Sequence, residues 1–172
     1  TVNNEVIDDH SDFNKLTSDE RVSHIIKKSK FYGTDSGHIR GLVFCSKNEI
    51  SRQLSSEFQS RGYNTIVLSG DSSEDDRLNA INKLENNVLD YIFTVDIFNE
   101  GIDIPSVNQI IMLRPTQSAI IFVQQLGRGL RKSETKEYLT VIDFIGNYNN
   151  NYLVPVALYG DTSFNKDSLR KL

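Results

Sequence analysis

The feature that most constrains the fold is an alternation of short apolar runs with longer segments of helical pattern. The apolar runs are rich in β-branched and aromatic residues, as buried strands are. They stand at GLVFC (41–45), TIVLS (65–69), YIFTV (91–95), QIIML (109–113) and YLTVID (138–143). Segments of helical pattern lie at 47–62, 72–86 and 116–129. Strands separated by helices form βαβ units, so the sequence predicts an α/β fold with a mainly parallel sheet and helices on both faces.

A further helix is predicted before the first strand. From Thr17 the sequence carries a capping signal, followed by apolar residues at the spacing of one helical face, at Val22, Ile25 and Ile26. Residues 1–16 are polar and aperiodic. We therefore divide the chain into an N-terminal extension with one helix (1–37), an α/β domain (38–146), and a C-terminal tail or bridge to another domain (147–172).

Composition limits the class of protein. The length of 172 residues, with 38% hydrophobic and 24% charged residues, suits one globular domain, or one domain with an appendage. The net charge of -4 excludes a basic field over the whole surface, although a small basic edge remains compatible with it.

The single cysteine, Cys45, excludes an internal disulfide, suits a reducing compartment and lies in an apolar run, which predicts core packing. No apolar run approaches the roughly 18 residues that cross a bilayer, and the first residues lack a signal-peptide pattern, so we expect a cytoplasmic protein without a membrane partner.

Each predicted strand is followed by polar residues or glycine. These residues are Ser46, Ser69 with Gly70, Asp96, Arg114 and Asp143. Ligands of open parallel sheets bind beyond the carboxyl ends of the strands. The sequence therefore places a binding site at that edge.

The stretch QQLGRGLR (124–131) places Gln124, Arg128 and Arg131 at i, i+4 and i+7, on one face of a continuing helix. Arginines near a helix C-terminus favour the helix dipole, and this is one interpretation. Planar, permanently charged guanidiniums that bind a phosphate held elsewhere are the other. Both interpretations stay open on these residues alone.

Two loops after predicted strands also carry candidate binding residues. In VDIFNEGIDIPSV (95–107), Gly101 permits close backbone approach and the Asp103 carboxylate could accept from a sugar hydroxyl, although a plain surface turn also fits. In VLSGDSSEDDR (67–77), Ser69 and the backbone amides could hold a nucleic-acid phosphate, before a helix capped by Ser72 or Ser73.

The sequence has no glycine-rich phosphate-binding loop and no pattern of metal ligands. Neither G-x-G-x-x-G nor G-x-x-x-x-G-K-[ST] occurs, so arginines that bind phosphate have no phosphate cradle beside them. We therefore expect such a domain to hold half of a binding site. The three histidines are scattered and no metal site is expected.

Taken in order, these segments resemble the second RecA-like lobe of superfamily 2 helicases of the DEAD/DEAH type. GLVFCS resembles motif IV, VLSGDSSEDDR the motif IVa region and VDIFNEGIDIP motif V, while QQLGRGLR matches the motif VI pattern Q-x-x-G-R-x-x-R at every fixed position. The resemblance covers residues 40–143 and is greatest to bacterial helicases grouped with type III restriction subunits. It implies a RecA-like three-layer sandwich.

The resemblance also implies roles for the candidate residues. ATP with Mg²⁺ would be held mainly by an absent N-terminal RecA-like lobe of the same protein. Arg128 and Arg131 would act as arginine fingers at the γ-phosphate, with Gln124 positioning the attacking water or sensing that phosphate. Gly101 and Asp103 would approach the ribose.

The remaining candidates would contact a nucleic acid. By the same resemblance Ser46, Ser69, Gly70 and Thr94 would line the path of a nucleic-acid backbone, and we expect DNA in preference to RNA. Related proteins often have threonine directly before the motif V aspartate, where this sequence has Val95, with Thr94 one residue earlier.

The sequence thus predicts a lobe of an ATP-dependent helicase or translocase that is inactive without its first lobe. Two alternatives remain. One is a non-catalytic α/β binding module whose arginines serve a protein interface. The other is the motor lobe of a relative that acts on chromatin or polypeptide.

Overall fold

The computed structural model describes residues 17–95, 104–114 and 138–144. In this part of the chain three helices and five strands follow one another as α1 (Asp19–Tyr32), β1 (Gly41–Phe44), α2 (Asn48–Ser60), β2 (Thr65–Leu68), α3 (Glu74–Glu85), β3 (Tyr91–Thr94), β4 (Gln109–Met112) and β5 (Thr140–Asp143). The strands form one sheet in the order β2-β3-β1-β4-β5, and every neighbouring pair is parallel. The predicted parallel α/β sheet is confirmed. The helix predicted at 116–129 lies outside the described residues.

The five strands end in step. In the register of the sheet Leu68, Thr94, Phe44, Met112 and Asp143 are aligned across neighbouring strands. All the loops that leave the carboxyl ends of these strands therefore start along one line. This line, the carboxyl edge, is where the sequence predicts the site.

The described helices cover both faces of the sheet. Alternate strand residues point to opposite faces, so Leu42, Ile92 and Ile110 pack with Ala80 and Leu84 of α3. The intervening residues of the same strands pack on the other face against α1 and α2, and this cluster includes Val43, Phe93, Ile111, Val22, Ile25, Leu54 and Phe58. The helices expected on both faces are confirmed.

Helix α1 packs into the same core as the sheet. Its N-cap Ser18 accepts from the backbone N–H of Arg21 (3.3 Å), as the capping signal predicts, and Val22 and Ile25 are fully buried. The predicted boundary at residue 37 therefore separates a helix from a sheet that share one hydrophobic cluster. The division of the chain at 37 and 146 stays a prediction.

A buried polar network joins α1 to the first residues of two strands. The Ser29 hydroxyl lies 2.6 Å from the Tyr91 hydroxyl and donates to Gln109 Oε1 at 2.8 Å. The Tyr91 hydroxyl also donates to Gln109 Oε1 (2.8 Å), and burial raises the pKa of Tyr91 far above its ordinary value. Gly41 lies against the Tyr91 ring so closely that a β-carbon there would collide with it. These contacts fix the C-terminal half of α1 near the starts of β3 and β4.

The longest of the described helices, α1, has 14 residues. Within the ranges that the structure describes, no helix combines the length and the apolar character that a membrane span requires.

Candidate functional site

Four of the predicted site residues lie together at the carboxyl edge. Ser69 and Gly70 follow β2, Thr94 ends β3 and Ser46 follows β1 by two residues, and β3 lies between the other two strands. Neighbouring strands are about 4.8 Å apart, so these residues span about 10 Å of the edge. The other predicted site residues, Gly101, Asp103, Gln124, Arg128 and Arg131, lie outside the described residues.

Helix α2 begins at the carboxyl edge without a side-chain cap. Its N-cap residue is Lys47, which has extended backbone geometry (φ -143°, ψ 151°) and makes no capping hydrogen bond through its side chain. The first four N–H groups of an α-helix have no partner within the helix and carry the positive end of its dipole. The first turn contains a single acidic residue, Glu49. We call this segment, Ser46 to Glu49, the uncapped helix start.

The charges around the uncapped helix start favour an anion. The Lys47 side chain is exposed, and Ser46 is half-buried. The Ser46 carbonyl accepts from Arg114 Nη1 at 3.4 Å, which brings a guanidinium from the end of β4 next to β1. An ammonium group, backbone N–H groups and a serine hydroxyl are the groups that bind phosphate in proteins. This part of the edge can therefore hold a phosphate group.

Helix α3 begins at the same edge with a complete cap. The Asp76 N–H donates to Ser73 Oγ (3.1 Å) and the Ser73 N–H donates to Asp76 Oδ2 (3.2 Å), which is a capping box. The hydrogen bonds from Ser73 lower the pKa of Asp76. With Glu74 and Asp75, the first turn carries three acidic residues, so this capped helix start repels phosphate.

The loop between β2 and α3 uses some of its polar groups internally. The Ser69 N–H donates to Ser72 Oγ at 2.9 Å, and the Gly70 carbonyl accepts from Arg77 Nη2 at 3.3 Å. Of the two serines predicted as caps, Ser73 caps the helix and Ser72 holds the loop. Gly70 is exposed and Ser69 is half-buried, so both remain within reach of a ligand.

Thr94 differs from the other three candidates because it is buried. Its side chain is 0% exposed, and its hydroxyl has no hydrogen-bond partner among the described residues. Its carbonyl accepts from the Cys45 N–H at 2.9 Å. In this conformation Thr94 is a buried structural residue at the carboxyl edge. The contact with a nucleic acid that the resemblance implies for Thr94 stays a prediction.

Cys45 is a packing residue at this edge. It is fully buried, and burial raises the pKa of its thiol to about 12, although Ser51, Arg21 and Arg114 oppose that rise. A thiol with so high a pKa is a poor nucleophile, so the predicted packing role is confirmed. Within the described ranges, no group of three or more His, Cys, Asp or Glu side chains is placed to hold a metal ion.

The sequence reasoning missed Lys47. A signal for it was present, because a lysine stands directly between a strand and a helix where serine, threonine, aspartate or asparagine usually caps. Because no side chain caps the helix, the positive end of its dipole lies beside the exposed lysine without a capping acceptor. The ammonium group of Lys47 and the positive end of the α2 dipole are therefore next to each other.

Residues 20–133 match the family described as helicase conserved C-terminal domain. The "Putative ATP-dependent helicase IRC3" of Saccharomyces cerevisiae is 32% identical over 121 residues, which are 70% of this chain and 16% of IRC3. The "ATP-dependent RNA helicase SrmB" of Haemophilus influenzae is 28% identical over 120 residues, which are 70% of this chain and 27% of SrmB. The chain thus spans well under a third of the length of either relative.

Solved structures show the same fold. The E. coli DEAD-box protein SrmB, solved with regulator of ribonuclease activity A, superposes with a TM-score of 0.55 at 20% identity, over 84% of this chain and 78% of that chain. The C-terminal domain of the DEAD-box protein Dbp5 gives a TM-score of 0.59 at 15% identity, over 89% of this chain and 81% of that chain. The predicted RecA-like α/β fold is therefore confirmed.

Proposed function

Because the chain belongs to the helicase conserved C-terminal domain family, we propose that it is the second motor lobe of an ATP-dependent nucleic-acid helicase or translocase. The observation that carries this proposal is the family match over residues 20–133. That range contains the motif VI pattern Q-x-x-G-R-x-x-R at 124–131. The family relation supports the use of ATP.

The proposed role of the lobe in hydrolysis is to supply charge to ATP that a first lobe holds with Mg²⁺. Arg131, with Arg128, stabilises the charge that develops on the γ-phosphate, and Gln124 positions the attacking water. Gly101 and Asp103 approach the ribose. A guanidinium in this position is worth about 10³–10⁵ in rate. The lack of a phosphate cradle in this sequence supports such a division of labour between lobes.

The proposed role of the carboxyl edge is to contact the backbone of a nucleic acid. The uncapped helix start, with Ser46 and Lys47, offers backbone donors, a hydroxyl and a positive charge. Ser69 and Gly70 offer a hydroxyl and an exposed backbone two strands away. Such contacts hold phosphates without reading base sequence, which suits a protein that moves along its track.

Hydrolysis would be coupled to movement through the cleft between the lobes. ATP held by one lobe and contacted by the arginines of the other draws the two lobes together, and release of products lets them part. Because this lobe holds one part of the track in each state, each cycle shifts that contact along the strand. We propose DNA in preference to RNA as the track.

The test is the steady-state ATPase activity of the complete gene product, measured with single-stranded DNA, duplex DNA and RNA. Wild type is compared with Arg131→Ala and with Arg52→Ala, an exposed arginine on α2 that serves as the matched control. We expect nucleic acid to stimulate the wild type and Arg52→Ala equally. Arg131→Ala should lose about 10³-fold in kcat or more while it still binds ATP.

The outcomes separate the possible functions. Normal turnover in Arg131→Ala would show that this arginine is structural and would remove the arginine-finger role. An ATPase that no nucleic acid stimulates would point to a motor for polypeptide. Absence of ATPase activity in the complete protein would leave the non-catalytic binding module. The most effective activator would identify the track.

A further inference from the structure

The last turns of α1 carry two exposed aromatic rings among three lysines. Phe31 is 77% exposed and Tyr32 is 52% exposed. Lys27 and Lys30 are exposed and Lys28 is half-buried. We call these five residues the lysine–aromatic patch.

Neither ring belongs to the buried core. Helix α1 is held to the sheet by its opposite face, where Ile25, Ile26 and Ser29 are buried. A phenylalanine with three quarters of its surface in water leaves a large apolar area unburied, at a cost of about 25 cal/mol for each Å² that burial would remove from water. An exposed aromatic cluster of this kind is typical of a binding surface.

The geometry of the rings leaves room for a flat ligand. Phe31 and Tyr32 meet edge to face, with centroids 5.1 Å apart and an interplanar angle of 84°. Lys28 Nζ lies 5.9 Å from the centroid of each ring. Because perpendicular rings do not cover each other's faces completely, a further aromatic ring can stack on the exposed face.

The charge of the lysine–aromatic patch is opposite to that of the chain. Residues 27–32 (KKSKFY) carry three lysines and no acidic residue, whereas the whole chain has a net charge of -4. The three lysines therefore favour an anionic partner. A single-stranded nucleic acid presents phosphates to the lysines and bases to the rings, so it satisfies both halves of the patch.

The lysine–aromatic patch lies away from the carboxyl edge. Directly after Tyr32, the Gly33 carbonyl accepts from Gln109 Nε2 (3.3 Å) and from Thr140 Oγ1 (3.1 Å). Gln109 and Thr140 are the first residues of β4 and β5, so the patch borders the edge where strands start. The uncapped helix start lies at the edge where strands end, and one molecule can offer both surfaces at once.

We propose that the lysine–aromatic patch is a second binding site for single-stranded nucleic acid, separate from the motor track. Bases stack on Phe31 and Tyr32, and the three lysines pair with the flanking phosphates. The site works without ATP, because none of its residues belongs to the nucleotide machinery. It gives the motor a hold on a strand that is independent of the position of its lobes.

The first test measures the binding of fluorescein-labelled oligothymidine and oligouridine to the complete gene product by anisotropy, without nucleotide. The double variant Phe31→Ala/Tyr32→Ala is compared with Leu78→Ala/Val88→Ala. These control residues are 54% and 55% exposed and lie outside the patch. We expect Kd to rise about 10-fold or more in the patch variant, since each stacked base contributes the equivalent of a 5-fold to 150-fold change in affinity. The control should bind as the wild type does.

The second test separates the lysines from the rings. Replacing Lys27, Lys28 and Lys30 by alanine should lower the slope of log K against log[salt] by about 2, because each phosphate contact to a single strand contributes about 0.7. Lys83→Ala, on α3 and exposed, is the control and should leave the slope unchanged. Iodouracil-substituted oligonucleotides should form photo-crosslinks at Phe31 or Tyr32.

The same variants distinguish this proposal from the proposed motor function. With nucleic acid at saturation, kcat for ATP should be the same in the patch variants and the wild type, since the catalytic residues are intact. Unchanged affinity, salt slope and crosslinking in the patch variants would overturn the second site, even if the ATPase proved to be stimulated by nucleic acid. If the patch variants lost binding to another protein but kept their affinity for nucleic acid, the surface would belong to a protein partner. That result would also overturn the second site.

Discussion

Two helices start at the same edge of this sheet, and their starts are chemically opposite. The N-cap residue of α2 is Lys47, which makes no side-chain cap, and the first turn of α2 has one acidic residue. Helix α3 begins at Ser73 with a capping box and three acidic residues. The fold supplies both helix dipoles, so the difference lies in a few side chains. Position at the carboxyl edge therefore does not by itself set the charge and the free donors of a helix start.

Under the proposed function, the two helix starts also divide stability and phosphate binding between them. The capping box satisfies the first N–H groups of α3 within the protein, which stabilises the helix and leaves little for a ligand. The uncapped helix start of α2 leaves that stabilisation unused and keeps its donors for a partner. Variants that exchange these properties should therefore change stability and nucleic-acid activation in opposite directions.

The largest effect is expected from Lys47→Asp, which gives α2 a capping side chain and reverses the charge at the uncapped helix start. We expect the concentration of nucleic acid that half-activates the ATPase of the complete protein to rise about 10-fold or more, while the cap raises the free energy of unfolding by about 1 kcal/mol. Activity titrations and urea unfolding of this chain measure the two effects.

Lys83→Asp makes the same charge change in the last turn of α3 and should not affect activation. A parallel loss of stability and activation in Lys47→Asp would contradict the comparison.

The next effect is on the capped helix start. Ser73→Ala removes the hydroxyl that accepts from the Asp76 N–H (3.1 Å) and should lower the free energy of unfolding by about 1 kcal/mol. Half-activation by nucleic acid should stay within about twofold of the wild type, because the neighbouring acidic residues already exclude phosphate. If Ser73→Ala weakened activation as strongly as Lys47→Asp does, the two helix starts would be functionally alike.

A smaller effect concerns the pH dependence of the same cap. Hydrogen bonds from Ser73 lower the pKa of Asp76 from its ordinary value of 3.8 in the folded state. The stability that this carboxylate contributes is therefore fully present above that ordinary value and is lost as the pH falls through the lowered, folded-state pKa. Asp76→Ala should be less stable than the wild type at neutral pH, and thermal unfolding should show this gap closing below about pH 3.8. A gap that stayed constant down to the acid limit would exclude the carboxylate as its source.

The smallest effect is expected from Glu49→Gln, at the single acidic position in the first turn of α2. Removal of this charge takes away a weak repulsion of phosphate, which surface charges near helix ends exert at about 0.3–1 kcal/mol. The half-activating concentration of nucleic acid should fall by about twofold. Asp75→Asn at the capped helix start is the matched control, and it should leave that concentration unchanged.

Much of the fold followed from local patterns in the sequence. The predicted strand at 41–45 is observed as Gly41–Phe44, and the segment 72–86 contains α3 at Glu74–Glu85. The apolar run that predicts the strand and the periodicity and capping residues that predict the helix are each contained in a few neighbouring residues. The last predicted strand, 138–143, begins two residues later at Thr140.

What the sequence did not predict depends on contacts between distant residues. The network of Ser29, Tyr91 and Gln109 joins positions 62 and 80 residues apart, so no local pattern contains it. The burial of Thr94 likewise depends on the strands at its sides, whereas the family resemblance implied that Thr94 lines the path of a nucleic acid. Local patterns in the sequence predicted the carboxyl edge of the sheet. Tertiary packing determines which side chains at that edge are accessible.

The central proposal for the carboxyl edge is a phosphate contact at the uncapped helix start. The decisive measurement is the salt dependence of single-stranded oligonucleotide binding by the complete protein, for Lys47→Ala beside Lys83→Ala. Loss of one phosphate contact should lower the slope of log K against log[salt] by about 0.7 in Lys47→Ala and leave it unchanged in Lys83→Ala. Equal slopes in the wild type and Lys47→Ala would contradict the account, because Lys47 would then contact no phosphate.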